Sequence, residues 1–342
     1  MARTRYTYLV VDTETATLPF ADAVALNVES KKRIAIARPL VYDIGWQLIN
    51  RDGTVLTKKQ FLIAEIFAVP SVFNTAYYKE KRPLYLEMIQ RGEIEVKPWH
   101  EVMKIFIADL EQADYVGAFN SMFDFKKAIP FTELYINKLY SAEYEAWEKM
   151  QYKLCERIAN NQKEEKKWGK DFDSEHFSFR GKHYELFDIW GMACEHLLNR
   201  PTYKNMCLDL GMLTNSGEFF KTSAEASYRF LREWYDFEEA HTALADVKIE
   251  CFILSKILSR HAVTVGLEYF PFRKLGYTDD YVLGKNRPNQ KHLRTVFDAM
   301  EQYVGEDWEF EEDDLTKYQR KIVNKMKRLR EEMGAVSPIF FL

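Results

Sequence analysis

Cysteine is scarce in this chain of 342 residues. There are four, Cys155, Cys194, Cys207 and Cys251, and no two of them form a Cys-x-x-Cys pair. That argues against a disulfide framework and a structural zinc site, and it fits buried thiols in a reducing cytoplasm. Long apolar segments are missing too. Met1 to Tyr6 leads straight into a strand-like stretch, so neither a signal peptide nor a membrane span is expected. Nor is there a surplus of positive charge. With 48 Lys and Arg against 52 Asp and Glu, the formal net charge is −4. A uniformly basic coat is thereby excluded, and any polyanion would have to be held by local patches.

What remains is an ordinary globular composition, 47% hydrophobic and 29% charged. The length suffices for one large core with appended elements, or for two domains. Tyr6 to Val11 reads as a buried strand, because β-branched, aromatic and aliphatic residues follow one another without Gly or Pro. It runs into Asp12-Thr13-Glu14-Thr15. Side chains alternate along a strand, so Asp12 and Glu14 leave on one face and Thr13 on the other. Two carboxylates ~4 Å apart repel by about 4 kcal/mol at an effective dielectric near 20. A cation between them removes that repulsion, and oxygen-only ligands suit magnesium or manganese. The plainer alternative is a polar turn whose acids face water.

Val41 to Ile49 reads as a second strand and Thr54 to Ile63 as a third, joined at Asn50-Arg51-Asp52-Gly53, where Asp-Gly supplies the positive φ of a tight hairpin. The stretch from Leu18 to Pro39, with its basic cluster Lys31-Lys32-Arg33, has no assignable structure. Trp99 to Leu110 repeats apolar residues at helical spacing and should pack on the sheet. A short fourth strand, Asp114 to Phe119, leads to Asn120-Ser121, which opens a helix carrying Phe123 and Asp124. Ser121 with Asp124 also resembles a capping box, so Asp124 reads equally as a cap or as a functional acid. From Thr132 to Lys170 the chain turns helical, with Ile136, Tyr140, Trp147, Leu154 and Ile158 on one stripe, read as a packing face ahead of a substrate lid. Phe177 to Leu186 looks like a hairpin broken at Arg180-Gly181-Lys182. Phe187 to Trp190 starts a helix in which Asp188 is an N-cap. Ser227 to Tyr235 is amphipathic, and Leu244 to Leu258 is a helix with Thr242 as its cap, Asp246 in its early turns and His241 on the loop before it. Beyond Arg260 come a polar stretch, an acidic block from Glu306 to Asp314 and a basic amphipathic helix from Leu315 to Met333. The chain closes on the apolar Ser337 to Leu342, which docks on the body or hooks a partner.

Taken together, three segments resemble the DnaQ-like 3′→5′ exonucleases of the DEDDh type, within the ribonuclease H-like superfamily. The first motif, Asp-x-Glu on a strand, is Val11-Asp12-Thr13-Glu14-Thr15. The second is Asn120-Ser121-Met122-Phe123-Asp124. The third is His241-Thr242-Ala243-Leu244-Ala245-Asp246. The sister group carries Tyr four residues before the last Asp; Thr242 stands there, which points to the His subgroup. The resemblance covers roughly residues 6 to 260 and departs from the family in two long insertions, before the second strand and between Asp124 and Phe187.

It implies an α/β fold with a ribonuclease H-like mixed five-stranded sheet flanked by helices. A catalytic domain would span 1–263, with a helical and hairpin insertion at about 131–186. A C-terminal helical extension would span 264–342. It further implies a metal-dependent 3′→5′ exonuclease releasing nucleoside 5′-monophosphates from single-stranded 3′ ends, DNA slightly favoured over RNA. Two Mg2+ or Mn2+ ions would be held by Asp12, Glu14, Asp246 and, through water, Asp124. His241 would be the general base, an imidazole whose usual pKa near 6.5 suits proton abstraction at neutral pH. Thr13, Thr15, Ala16 and Asn120 would meet the terminal nucleotide, with Phe20, Phe119 and Phe123 as stacking rings equally well explained as core. The partners expected are nucleic-acid 3′ ends, a replication or repair protein at the C-terminal tail, and a second copy in a homodimer. The alternative is a catalytically silent module that binds nucleic-acid ends or such partners.

Overall fold

The structure, a computed structural model, describes residues 6–17, 24–26, 33–35, 39–137, 173–214, 219–268 and 270–276. Contacts divide the chain into two compact units, Met1–Ile189 with His241–Tyr269, and Trp190–Ala240 with Phe270–Leu342. Most of the expected insertion, the acidic block, the basic helix and the apolar tail lie outside the described residues.

The first unit is built on a mixed sheet of seven strands. In chain order these are β1 (Thr7–Thr17), then, after a separate pair β2 (Val24–Leu26) and β3 (Arg33–Ala35), β4 (Pro39–Asn50), β5 (Val55–Ile63), β6 (Glu95–Lys97), β7 (Tyr115–Ala118), β8 (His176–Phe179) and β9 (Lys182–Asp188). Their order across the sheet is β6-β5-β4-β1-β7-β9-β8. β4 runs antiparallel to β1 and β5, whereas β1, β7 and β9 are parallel. β4 buries eleven of its twelve residues, which makes it a central strand covered on both faces. Gly53 takes φ +86° in the turn to β5, as the Asp-Gly pair anticipates. Arg180 and Gly181, both at positive φ, close the β8–β9 hairpin.

Seven strands stand where five were expected. β6 has only three residues, two of them charged, and shows no alternation to read. The expected hairpin is not separate from the sheet, because β9 pairs with β7 and carries β8 to the edge.

Helices flank this sheet: α1 (Ala64–Phe67), α2 (Pro70–Phe73), α3 (Arg82–Gln90) and α4 (Trp99–Leu110), then α5 (Ser121–Phe123), which passes through a π turn at Asp124–Ala128 into α6 (Ile129–Ile136). α4 has the predicted limits. It buries Val102, Met103, Phe106 and Leu110, and Trp46 of β4 meets Phe106 at 5.2 Å between rings while its indole N–H donates to Asp109 at 2.7 Å. The second unit contains most of α7 (Ile189–Ala193), and α8 (Pro201–Asp209) and α9 (Ala224–Arg232). α9 starts three residues before the predicted Ser227 because the Ser223 hydroxyl caps it, accepting from Ala226 N–H at 3.1 Å. The last helix of the first unit is α10 (Ala243–Leu258). Among the described residues, no helix is long and apolar enough to cross a membrane.

Candidate functional site

Of the residues singled out in the sequence, Glu14, His241 and Asp246 gather beside the second half of β1, and the charges of Asp12 and Asp124 act on that group. The strand runs past Val11 to Thr17, so Asp12 and Glu14 lie within it rather than after it, facing Gly45 and Asp43 of β4. The register slips between Glu14 and Thr15, a bulge of the kind that re-aims side chains. Next to β1, β7 ends and the chain turns through Asn120 at φ +78° into α5, which delivers the buried Asp124. The Thr13 hydroxyl donates to Asp124 Oδ1 at 2.7 Å. From the other side comes α10. His241 takes φ +49° just before it, and Asp246 sits in its first turn.

Two features of β4 seat that helix. A Cβ on Gly45 would lie 2.5 Å from Leu244 N and 2.7 Å from the Ala243 carbonyl carbon, so the first turn of α10 rests on the strand where only glycine fits. The Ala243 N–H donates to Asp43 Oδ2 at 3.0 Å. Thr242, the predicted cap, holds the N-cap position but makes no side-chain capping bond. A carboxylate 200 residues away in sequence takes that role. The Ser121–Asp124 capping box is likewise replaced. Ser121 Oγ bonds Ala118 N–H and the Phe187 carbonyl, while Asp188, at the end of β9, accepts from Asn120 and Ser121 N–H at 3.0 and 3.3 Å.

Glu14, His241 and Asp246 each place one ligand-type atom within 4.8 Å of the others. His241 Nδ1 lies 3.8 Å from Asp246 Oδ2, an ion-pair separation too long for a hydrogen bond. Asp12 Oδ2 is buried and has no hydrogen-bond partner. Burial, and then the charges of Glu250, Asp124, Asp246 and Glu14, hold the Asp12 carboxyl well above the usual range. Glu14 is pushed up to about 9 by burial and by Asp246 and Asp43, against the pull of Lys81. Asp124 is pushed up to about 7 by burial, with the Thr13 hydrogen bond opposing. Such a group of carboxylates holds together by binding protons or a cation. By spacing, Glu14, His241 and Asp246 could hold a divalent ion, and the oxygens of Asp12 and Asp124 would suit magnesium or manganese in the same way.

Several residues at the site carry no motif. Glu250, buried one turn beyond Asp246 on the same face of α10, accepts from Phe119 N–H at 3.2 Å and is the acid that bears most on Asp12. The i, i+4 spacing of Asp246 and Glu250 is the sequence signal for it. Tyr78 stacks on His241, with ring centroids 4.3 Å apart and planes 14° apart. Of the proposed nucleotide contacts, Thr13 is buried and its hydroxyl is used on Asp124, Ala16 is buried, and Thr15, Asn120 and Phe123 are half-buried. Phe123 packs against the core, Phe119 is half-buried, and Phe20 lies outside the described residues. Compared with models of known protein families, with curated proteins and with solved structures, the chain matches none.

Proposed function

We propose that the protein is a metal-dependent 3′→5′ exonuclease of the DnaQ-like, DEDDh type. In this reading it hydrolyses single-stranded nucleic-acid ends, DNA slightly ahead of RNA, to nucleoside 5′-monophosphates. One observation carries the reading. Acids from three segments more than a hundred residues apart share one site, and among them a buried oxygen of Asp12 is left without a hydrogen-bond partner. An unsatisfied buried acceptor costs about 1–3 kcal/mol, and a bound cation would satisfy this one. The central strands, with β4 antiparallel and β1, β7 and β9 parallel, support a ribonuclease H-like core within the larger sheet.

Bound between these acids, two divalent ions would activate water and neutralise charge on the leaving oxygen. The chain's own residues do the rest. Asp12, Glu14 and Asp246 bind and orient from two elements, and Asp124, steadied by Thr13, completes the set. His241, beside Asp246 and stacked on Tyr78, would take a proton from the attacking water.

The test is cleavage of matched single-stranded DNA and RNA, labelled at either end, with magnesium, manganese or chelator. Asp12→Asn should reduce the rate by at least roughly a hundredfold, since even residues behind metal ligands are worth ten- to a hundredfold. It should leave end-binding intact. A wild-type protein that binds ends but never cleaves them, even with manganese, would indicate a silent module instead.

A further inference from the structure

Tyr77 is 84% exposed, the most exposed large apolar side chain among the described residues. Covering so large a ring would be favourable, and its flat face is free to be covered. Its place makes it more than a stray surface residue. Tyr77 meets Tyr78 edge to face, with centroids 4.8 Å apart and planes at 90°. Tyr78 in turn lies flat on His241. A line of three rings therefore runs from solvent to the acid cluster, and the outermost one presents itself to water.

Cations accompany these rings. Lys81 Nζ stands 4.8 Å from the Tyr78 centroid and is the positive charge that opposes the rise in the Glu14 carboxyl. The same short turn, Lys79–Lys81, also exposes Lys79 and Glu80, so it carries two lysines and one acid. Arg82, with its guanidinium 5.3 and 5.2 Å from the Phe67 and Phe73 rings, fastens the end of the turn to the core. An aromatic face with lysines about it, on a fixed turn beside a carboxylate site, matches what a single strand needs. Unpaired bases stack on rings without regard to sequence, and ammonium groups follow the phosphates.

We propose that Tyr77 is a stacking platform for an unpaired nucleobase of the strand entering the site, with Lys79 and Lys81 contacting its backbone. The proposal rests on the exonuclease reading and adds a strand-binding surface to it. A base held this way must leave a duplex stack first, so the surface favours single strands over paired ends.

The experiment measures equilibrium binding of single-stranded oligonucleotides to the full chain carrying Asp12→Asn, so that cleavage plays no part. Tyr77→Ala should weaken binding by about tenfold, within the range of one base–aromatic stack. Tyr77→Phe should bind like the parent. An abasic nucleotide at one of the three 3′-terminal positions should erase the difference between the parent and the Tyr77→Ala variant, which a fold defect would not do. Equal binding by the Tyr77→Ala variant, a penalty unaltered by every abasic position, or no binding at all would overturn the proposal. Absence of cleavage by the wild-type chain would instead count against the exonuclease reading, and the binding result would still stand on its own.

Discussion

Glu14 and Asp43 face each other across β1 and β4, and they differ in how many donors meet their carboxylates. Asp43 is fully buried, yet it accepts from Gln60, from the Tyr85 hydroxyl at 2.9 Å and from Ala243 N–H, and its carboxyl rises only to about 6. Glu14 is pushed to about 9, with the charge of Lys81 as its main relief. Substitution should therefore act in opposite directions in the metal-free protein. Asp43→Ala strands buried donors and should lower stability by about 3 kcal/mol, with Asp43→Asn losing less because an acceptor remains. Glu14→Gln, which mimics the protonated acid, should raise stability at pH 8 and change little at pH 4. Urea unfolding in chelator at the two pH values checks both.

At the scale of elements, the site is a matter of where α10 and α5 begin. Gly45 lets the first turn of α10 lie on β4, so Gly45→Ala must push that turn outward. Overpacking of this kind costs about 1–3 kcal/mol, but the displaced turn carries His241 and Asp246. Activity should accordingly fall by more than the loss of folded protein explains, as rate per folded molecule after a melting correction would reveal. A displacement of about 1 Å near reacting groups is enough for a hundredfold effect. The same elements mark how far the sequence could be read. β1, β4, β5, the Asp52-Gly53 turn and the limits of α4 follow from strand-forming residue types, turn chemistry and helical spacing, all local signals. Asp12, Glu14, Asp124, His241 and Asp246 follow from ordered motifs. The caps do not, because Thr242 and Ser121 have the right local chemistry and are displaced by Asp43 and Asp188 from remote strands. Glu250 escaped because its partner, Phe119 N–H, is 131 residues away. Tyr78 escaped because ring stacking leaves no pattern in sequence.

In the whole molecule, every residue of the site belongs to the first unit, although Trp190–Ala240 interrupts that unit in sequence between β9 and α10. A site assembled from both ends of the unit links its ionisation to global stability. The folded pKa values of Glu14 and Asp124, about 9 and about 7, lie above their ordinary values of 4.5 and 3.8. The folded metal-free protein therefore binds more protons than the unfolded chain between these limits. Stability from these groups is complete below about pH 4 and is lost as pH rises through the folded values, toward about 9. Without metal, the melting temperature should decline from pH 5 to pH 9, less the contributions of other groups. Manganese or magnesium competes with those protons, so each should raise the melting temperature, and by more at pH 8.5 than at pH 6. Asp12→Asn should shrink that metal-dependent rise at both pH values. Thermal melts in chelator and in each metal, across the pH series, measure this directly. A rise that is independent of pH, or unchanged in Asp12→Asn, would mean that the cation binds somewhere other than this cluster.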